Sequence, residues 1–320
     1  SAPTSYTAVT DLTEDTTESG KTYTVGVCQL VQHEALDAAT QGFVDALKEA
    51  LGDAVTIDVQ NASGDSVNCG TIVNGFVSKG VDLIMANATP ALTAAVSATA
   101  DIPILGTSIT AYGVALDIDD FSGTVGGNVS GTSDLADLQK QAQMILDWFP
   151  ETKTVGLLFC SAEPNSRYQI DEVRKALEAQ GVTCEEFAFT YNVTWYAFND
   201  TNDVTSVTET AADNSDVIYI PTDNTAASNT EAIANVLIPA GVPAICGEEG
   251  LCRGCGVATL SISYYDLGVT TGKMAAKILK GEANISEMPV EYTDATPKYN
   301  ASICDQLGIT PLDGYEAIDG

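Results

Sequence analysis

The sequence predicts an α/β fold made of two doubly wound lobes, each with a parallel sheet that helices cover on both faces. Short apolar runs typical of buried strands alternate with helical patterns along most of the chain. This alternation pauses near the middle of the chain and then starts again. The length of 320 residues is sufficient for two domains, each with its own hydrophobic core.

The first series of elements begins with a β-rich run at Tyr23–Gln29. A helix is predicted over Ala35–Leu51, where the apolar residues fall at helical spacing. Gly80 is a plausible end for a second helix, because glycine readily adopts the conformation that closes a helix. The other elements of this series are strands at Val55–Gln60, Val81–Ala86 and Ile102–Gly106, and helices through Ile72–Val77 and over Pro90–Thr99.

The second series follows a stretch rich in Gly, Ser and Asp at Gly113–Asp134. It opens with a helix at Leu135–Phe149, which Pro150 ends. Its strands are predicted at Thr154–Cys160, Thr183–Phe189, Asp216–Ile220, Pro243–Cys246 and Val257–Ser261, and its helices near Gln169–Gln180, Asp203–Ala212, Ala226–Pro239 and Tyr264–Leu279. Residues 1–20 are rich in Ser, Thr and acids without apolar periodicity, which predicts a disordered leader or tether.

Acidic residues outnumber basic ones, with 44 Asp and Glu against 13 Lys and Arg, and the formal net charge is −31. A field of this sign repels phosphate backbones, so the composition disfavours nucleic acid as a partner. No apolar run reaches the roughly 20 residues that span a bilayer.

The chain has eight cysteines, and Cys252 and Cys255 form the only closely spaced pair. A local disulfide and two free thiols are both compatible with this spacing. Two cysteines are too few for a structural zinc site, and a single histidine, His33, excludes a histidine-rich metal site. We therefore expect no metal and no cofactor.

Polar residues follow the carboxyl ends of the predicted strands, which is where open parallel sheets bind ligands. Thr89 and Pro90 are typical of the start of a helix, whose free N–H groups suit an anionic group. Hydroxyls dominate these positions in the first half, whereas Asp223 and Glu248 follow strands of the second half. This arrangement suits a zwitterion. For each residue taken alone an ordinary cap or turn is the favoured interpretation, whereas the strand ends as a group favour ligand binding.

Catalytic motifs are absent from the sequence. It has no Gly-x-Ser-x-Gly elbow, no phosphate-binding loop and no dinucleotide-binding glycine pattern at the first strand. The adjacent acids Glu248 and Glu249 have the chemistry for acid–base work, but such pairs are more typical of a solvated surface. We therefore predict that the protein is not an enzyme.

Four runs together resemble one known family. They are VGVCQLVQHEALDAATQGFVDALKE, DLIMANATPAL, IYIPTDNTAAS and LSISYYDLGVTTGKMAAKILKGE. In this order they resemble the tryptophan/tyrosine-type (TrpX-like) family of ABC transporter substrate-binding proteins, over residues 22–312. The resemblance implies a type I periplasmic-binding-protein fold, in which three crossovers join the lobes. With it, lobe 1 is predicted to contain residues 21–128 and 262–291, and lobe 2 residues 129–261 and 292–320.

The resemblance also implies a function. It implies a monomeric solute-binding protein outside the cytoplasm, attached to the membrane by a lipid anchor upstream of Ser1. Such a protein delivers an amino acid, preferably aromatic, to the permease of an ABC importer. It places candidate ligand-binding residues at Gln32, His33, Asn87, Thr89, Ser108, Thr110, Asn165, Asp223, Asn224, Thr225 and Glu248. Asp223 is expected to bind the ligand's ammonium group, and Thr89 and Thr110 its carboxylate.

Two segments depart from the family pattern. The run Cys252-Arg253-Gly254-Cys255 is an insertion, and Tyr191–Phe198 is longer than usual, with four aromatic residues that suit either a lid over the ligand or a local hydrophobic plug. Other hypotheses stay open: a sugar or nucleoside ligand, a ligand-sensing module of a receptor, and an enzyme on the same scaffold. Sugars are disfavoured because only Arg167 lies near a predicted strand end.

Overall fold

Two β-sheets form the framework of the computed structural model, which describes residues 20–190 and 202–319. Sheet 1 is formed by β1 (Tyr23–Gln29), β2 (Val55–Asn61), β3 (Leu83–Asn87), β4 (Ile104–Ile109), β5 (Val129–Ser133) and β11 (Glu291–Tyr292). Their order across the sheet is β11-β5-β4-β3-β1-β2, and every neighbouring pair is parallel.

Sheet 2 carries the second half of the chain. It is formed by β6 (Thr154–Cys160), β7 (Thr183–Phe189), β8 (Val217–Ile220), β9 (Ala244–Cys246), β10 (Ala258–Ser261), β12 (Thr296–Tyr299) and β13 (Glu316–Ala317). Their order is β13-β12-β10-β9-β8-β6-β7. All pairs are parallel except β10 and β12, which run in opposite directions.

Helices cover both faces of each sheet. In chain order they are α1 (Glu34–Leu51), α2 (Ser66–Lys79), α3 (Thr89–Ala98), α4 (Tyr112–Ala115), α5 (Leu138–Trp148), α6 (Pro164–Glu178), α7 (Asn202–Asn214), α8 (Asn224–Ala227), α9 (Thr230–Ala240), α10 (Glu249–Cys255), α11 (Tyr264–Leu279) and α12 (Ala301–Leu307), with short 3₁₀ turns at Gly52–Ala54 and Ile285–Glu287. The buried cores of sheet 1 include residues of α1, α2, α3 and α11, and those of sheet 2 include residues of α5, α6, α7, α9, α10 and α12.

The chain crosses between the sheets three times, between β5 and α5, between β10 and α11, and between β11 and β12. The predicted fold class, with two α/β lobes and three crossovers, is therefore confirmed. Below, lobe 1 means sheet 1 with its helices, and lobe 2 means sheet 2 with its helices. No helix of residues 20–190 and 202–319 is both long and apolar enough to cross a membrane.

The predicted boundary between residues 128 and 129 is wrong, because β5 pairs with β4 and so belongs to sheet 1. Tyr292 also belongs there, since it pairs with Ser133. The strand escaped prediction because its sequence, VSGTS, is not apolar. Gly131 takes a φ of +147°, and a side chain there would overlap the backbone of Gly106 on the neighbouring strand.

Smaller differences concern helix limits. The helix predicted from Gln169 begins five residues earlier at Pro164, whose fixed φ suits the first helical turn. The predicted helix Ala226–Pro239 is divided into α8 and α9. The predicted leader, apart from residue 20, and the segment Tyr191–Phe198 lie outside the described residues.

The eight cysteines are all free thiols, so the structure favours the second of the two alternatives for Cys252 and Cys255. Both are buried in the core of lobe 2. The Cys255 thiol lies 3.3 Å from the backbone carbonyl oxygen of Leu251 and hydrogen bonds to it. The insertion is therefore not closed by a disulfide but folds as helix α10.

Helices α1 and α11 pack so closely that their backbones touch. A Cβ atom on Gly268 would overlap the carbonyl group of Ala39, and one on Gly42 would overlap the carbonyl oxygen of Tyr265. A Cβ atom on Gly272 would likewise lie only 2.7 Å from the carbonyl oxygen of Phe43. Because both helices begin at the cleft between the lobes, this contact fixes the position of two of its walls.

We expect Gly268→Ala to lower the free energy of unfolding by about 1–3 kcal/mol, as overpacking of a core commonly does. The cause is that the new methyl group meets backbone, which can yield only if the helices move apart. Urea unfolding followed by circular dichroism measures the change.

Gly75→Ala is the matched control. Gly75 lies inside α2, and a Cβ atom there has no neighbour within 4 Å. This variant is expected to gain up to about 1 kcal/mol, because alanine favours the helix more than glycine does. Equal stability of the two variants would contradict the proposed role of the close contact.

Candidate ligand-binding cleft

A narrow cleft lies between the carboxyl ends of the two sheets. Lobe 1 lines it with the start of α1 and the end of β4, and lobe 2 with the start of α6, the β8–α8 junction and the residue that precedes α10. The remaining wall comes from Asp134 and Tyr264, which adjoin the first two crossovers. The location is the one that the parallel topology predicts.

Seven of the eleven predicted site residues line this cleft: His33, Ser108, Thr110, Asn165, Asp223, Asn224 and Glu248. They come from strand ends that lie up to 215 positions apart in the sequence. The topology therefore brings these residues together, and their role in binding stays a prediction.

Four predicted residues do not line the cleft. Gln32 is exposed to solvent, and Thr89 is buried in the first turn of α3.

The amide of Asn87 donates to the Leu36 carbonyl oxygen at 2.8 Å and to the Thr40 hydroxyl at 2.9 Å, so it joins β3 to α1. The Thr225 hydroxyl donates to Glu163 at 2.9 Å. Thr89 does not line the cleft, so this arrangement lends no support to its expected contact with the ligand carboxylate, and that role stays a prediction.

Asp134, Thr222 and Tyr264 line the cleft but were not among the predicted site residues. Asp134 directly follows β5, so recognition of that strand would have identified it by the same rule as the others. Thr222 stands beside Asp223 after β8, and Tyr264 is the first residue of α11.

Asp223 caps α8, and the protein already satisfies its carboxylate. One oxygen accepts hydrogen bonds from the Cys160 backbone N–H at 2.7 Å and the Ser166 hydroxyl at 2.6 Å, and the other accepts from the Ala226 backbone N–H at 2.8 Å. Burial, followed by repulsion from the nearby carboxylate of Glu163, holds the pKa of Asp223 well above its usual range. Three hydrogen bonds leave this carboxylate less free for a ligand than the sequence suggests.

Glu163 lies behind the cleft wall and organises the β8–α8 junction. It is buried and accepts hydrogen bonds from both the backbone and the side chains of Asn224 and Thr225, at distances of 2.7–3.0 Å. This carboxylate therefore holds the first turn of α8 against the start of α6.

Within the described residues, the side-chain donors to Asp134 are hydroxyl groups of cleft residues. The Tyr264 hydroxyl donates to it at 2.6 Å and the Thr110 hydroxyl at 3.1 Å. Burial raises the pKa of Asp134, and the two hydroxyl donors partly offset this effect. The carboxylate thus joins the end of β4 and two crossovers at one point of the cleft.

Two buried polar atoms of the cleft residues have no hydrogen-bond partner in the described part of the chain: the hydroxyl of Ser108 and the side-chain oxygen of Asn165. Ser108 is 8% exposed and has a φ of +57°, in the left-handed region that costs energy for residues other than glycine. Unpaired buried polar atoms are rare, and a ligand with matching groups would satisfy them.

The charge of the cleft is negative. Asp134, Asp223 and Glu248 line it, whereas no Lys or Arg is among its lining residues in the described part of the chain. The one imidazole, His33, has a pKa lowered mainly by burial. This arrangement favours a ligand with a positively charged group.

The lobes touch across the mouth of the cleft. The Nε2 atom of His33 in lobe 1 lies 3.1 Å from the side-chain oxygen of Asn224 in lobe 2. Beside it, Glu34 forms an ion pair with Arg253 of the inserted α10, and Arg253 also pairs with Glu249 at 2.8 Å. These contacts hold the two lobes in a closed arrangement.

Glu248 gives the cleft a pH dependence. Its carboxylate caps α10, where it accepts hydrogen bonds from the backbone N–H groups of Leu251 at 2.5 Å and Gly250 at 2.8 Å. Burial nevertheless raises the pKa of Glu248 to about 7, from an ordinary value of 4.5. Between these values the folded protein holds a proton that the unfolded chain has lost, so this group stabilises the fold at low pH and loses that contribution as the pH rises.

We expect the stability of the wild type relative to Glu248→Gln to fall between about pH 5 and about pH 8, by up to about 3 kcal/mol. Urea unfolding at several pH values measures it. Glu49→Gln, on the exposed face of α1, is the control and should follow the wild type at every pH. A constant difference between Glu248→Gln and the wild type would show that Glu248 does not titrate in this range.

Comparisons with known proteins agree with this architecture. A family model for ABC transporter substrate binding proteins matches residues 24–314. A tyrosine-binding protein of Clostridioides difficile is 32% identical over 286 residues, which cover 88% of this chain and 79% of that protein.

Two solved structures are similar over nearly the whole chain. The ABC domain of a Streptococcus pneumoniae protein in complex with L-Trp is 32% identical with a TM-score of 0.85, and the match covers 93% of this chain and 100% of that one. A ligand-free, open substrate-binding protein with adhesive properties from Clostridium difficile is 33% identical, with 93% and 99% covered, but its TM-score is 0.69. Since the identities are nearly equal, the lobe arrangement here is nearer to the tryptophan complex than to the open form. The fold, the interlobe cleft and the family match lead to one conclusion: the chain belongs to the ABC transporter substrate-binding proteins.

Proposed function

We propose that this protein is the extracytoplasmic solute-binding component of an ABC importer and that it binds an aromatic amino acid in the cleft. One observation carries the proposal. Among the described residues, carboxylates but no Lys or Arg line the cleft, and the buried hydroxyl of Ser108 has no hydrogen-bond partner. An amino acid has the complementary groups, a cationic ammonium and an anionic carboxylate. The tyrosine-binding relative and the relative crystallised with L-Trp support an aromatic side chain.

The ligand's two head groups have different partners in this proposal. The carboxylate binds at the end of β4, where the Ser108 hydroxyl donates a hydrogen bond and Thr110 lies two residues away. The ammonium binds to Asp134, with Asp223 and Glu248 contributing negative charge. We favour Asp134 over Asp223 because its side-chain donors in the described residues are hydroxyls, which can rotate away, whereas Asp223 accepts from the fixed backbone N–H groups of Cys160 and Ala226.

The aromatic ring of the proposed ligand has apolar neighbours in the same cleft. Ala35 and Leu36 of α1 face it from lobe 1, Ala227 of α8 from lobe 2, and the ring of Tyr264 from the crossover. Burial of an aromatic side chain against such a surface is favourable. A ligand held by both lobes stabilises the closed form, which is the form that a permease would recognise.

Binding in this proposal occurs without chemical conversion of the ligand, as befits a substrate-binding family. A monomeric state, a lipid anchor upstream of Ser1 and contact with a permease remain predictions from the sequence resemblance.

Isothermal titration calorimetry tests the ligand class, with protein that has been unfolded, dialysed and refolded to remove any ligand acquired during expression. We expect L-Trp, L-Tyr or both to bind, and ribose and glucose to give no heat. Binding of a sugar without binding of any amino acid would contradict the proposal.

Ser108→Ala is expected to weaken binding of the preferred amino acid by about tenfold or more, because a hydrogen bond to a charged carboxylate is lost. The matched control is Ser63→Ala: Ser63 has the same left-handed backbone, with a φ of 56°, but does not line the cleft. Affinities measured by calorimetry should be unchanged in the control. An equal loss in both variants would assign the effect to the backbone rather than to the hydroxyl.

Closure of the lobes is tested by Arg253→Gln, which removes the ion pair with Glu34. Because ion pairs exposed to solvent are weak, we expect ligand affinity to fall by about two- to fivefold and the ligand-free protein to scatter X-rays with a larger radius of gyration.

Arg174→Gln is the control for this closure test. Arg174 has almost the same side-chain exposure, 31% against 32% for Arg253, but its partner Glu186 lies in its own lobe. Unchanged affinity and radius in Arg253→Gln, or equal changes in Arg174→Gln, would show that the ion pair does not hold the lobes together.

A further inference from the structure

The orientation of the Asn165 amide is fixed by its neighbours. Its nitrogen donates to the Thr222 carbonyl oxygen at 3.0 Å and to a carboxylate oxygen of Glu163 at 3.5 Å. Both partners can only accept hydrogen bonds, so a rotated amide would place its oxygen against two other oxygens. The nitrogen therefore faces the protein.

The oxygen of the same amide is left without a partner. Asn165 is 6% exposed and lines the cleft, and its oxygen is among the few buried side-chain atoms of the described residues that accept no hydrogen bond. Asn224, the other amide of the cleft, differs in this respect, because its oxygen lies 3.1 Å from the His33 ring and its nitrogen donates to Glu163. Of these two amides, Asn165 is therefore the one whose side-chain oxygen is free to accept a hydrogen bond from a ligand.

We infer that Asn165 accepts a hydrogen bond from the side chain of the bound amino acid, and that the cleft therefore selects aromatic amino acids with a side-chain donor over phenylalanine. The donor is the indole N–H of tryptophan or the phenol O–H of tyrosine. This inference rests on the proposed function and adds a residue that determines specificity.

The position of Asn165 favours the far end of the ligand over its head groups. Ser108, Thr110 and Asp134 lie together at the ends of β4 and β5, two strands that are paired through Ile109 and Ser133. Asn165 lies in lobe 2, in the first turn of α6. A ligand whose head groups occupy the lobe 1 strand ends extends its side chain toward lobe 2, where Asn165 contributes its oxygen.

The experiment compares ligands that differ only in the donor. One pair is L-tyrosine and L-phenylalanine, and the other is L-tryptophan and 3-benzothienyl-L-alanine, in which sulfur replaces the indole N–H. We expect wild-type protein to bind the donor-bearing member of at least one pair about tenfold or more tightly by calorimetry, since the other member leaves a buried acceptor unpaired. Equal affinities within both pairs would overturn the inference without any variant.

Asn165→Ala then identifies the residue responsible. The ratio of affinities within the discriminated pair is expected to fall toward one. If Asn165 instead held the ammonium group, all four ligands would weaken by the same factor and the ratio would persist, which would overturn the inference. Circular dichroism confirms that the variant is folded, and Asn165→Leu repeats the test if alanine unfolds it.

Asn224→Ala is the matched control, an asparagine in the same cleft whose two amide atoms both have partners. It is expected to preserve the affinity ratio even where it weakens binding overall. A loss of discrimination in this control equal to that in Asn165→Ala would overturn the assignment to Asn165. If none of the four ligands binds to refolded wild-type protein, the proposed function itself fails and the inference falls with it.

Discussion

The hydrogen bond from Tyr264 to the buried carboxylate of Asp134 links two crossovers at the centre of the cleft. Thr110 donates to the same carboxylate from the end of β4. Beneath this point, the hydroxyls of Thr132 and Thr271 lie 2.8 Å apart and join β5 to α11. A buried carboxylate is costly unless donors surround it, so Asp134 constrains the geometry of strand, crossover and helix together.

The negative cleft and the interlobe contacts are parts of one arrangement. Three carboxylates line the cleft without a basic residue among the described lining residues, which raises the energy of their charged forms. His33 and Glu34, at the start of α1, contact Asn224 and Arg253 across the cleft. The carboxylates that line the cleft thus adjoin the groups that hold the lobes together, so a ligand bound as proposed would favour closure through the same short segments.

The sequence predicted the fold because most strands are continuous apolar runs, and the rule that ligands bind at strand ends located Ser108, Thr110, Asp223 and Glu248. It missed Asp134 because β5 is a polar strand whose glycine fits against a neighbouring backbone. It also assigned a ligand contact to Thr89, which is buried in the first turn of α3 and does not line the cleft. Two of the three hydrogen bonds that occupy Asp223 come from Cys160 and Ser166, 63 and 57 residues away, and sequence spacing cannot reveal such partners.

Helix α11 also has a consequence for how the molecule is made. It covers one face of sheet 1, where Val25, Met85 and Leu105 are buried with Met274 and Leu279. Yet more than one hundred residues of lobe 2 separate α11 from β5 in the chain. During synthesis, the strands of lobe 1 emerge together with α1, which covers part of this face through Phe43, Leu47 and Leu51, but the part that α11 covers stays exposed until lobe 2 has also appeared. Transiently exposed apolar surface of this kind favours aggregation, so the order of elements in the chain delays completion of the lobe 1 core.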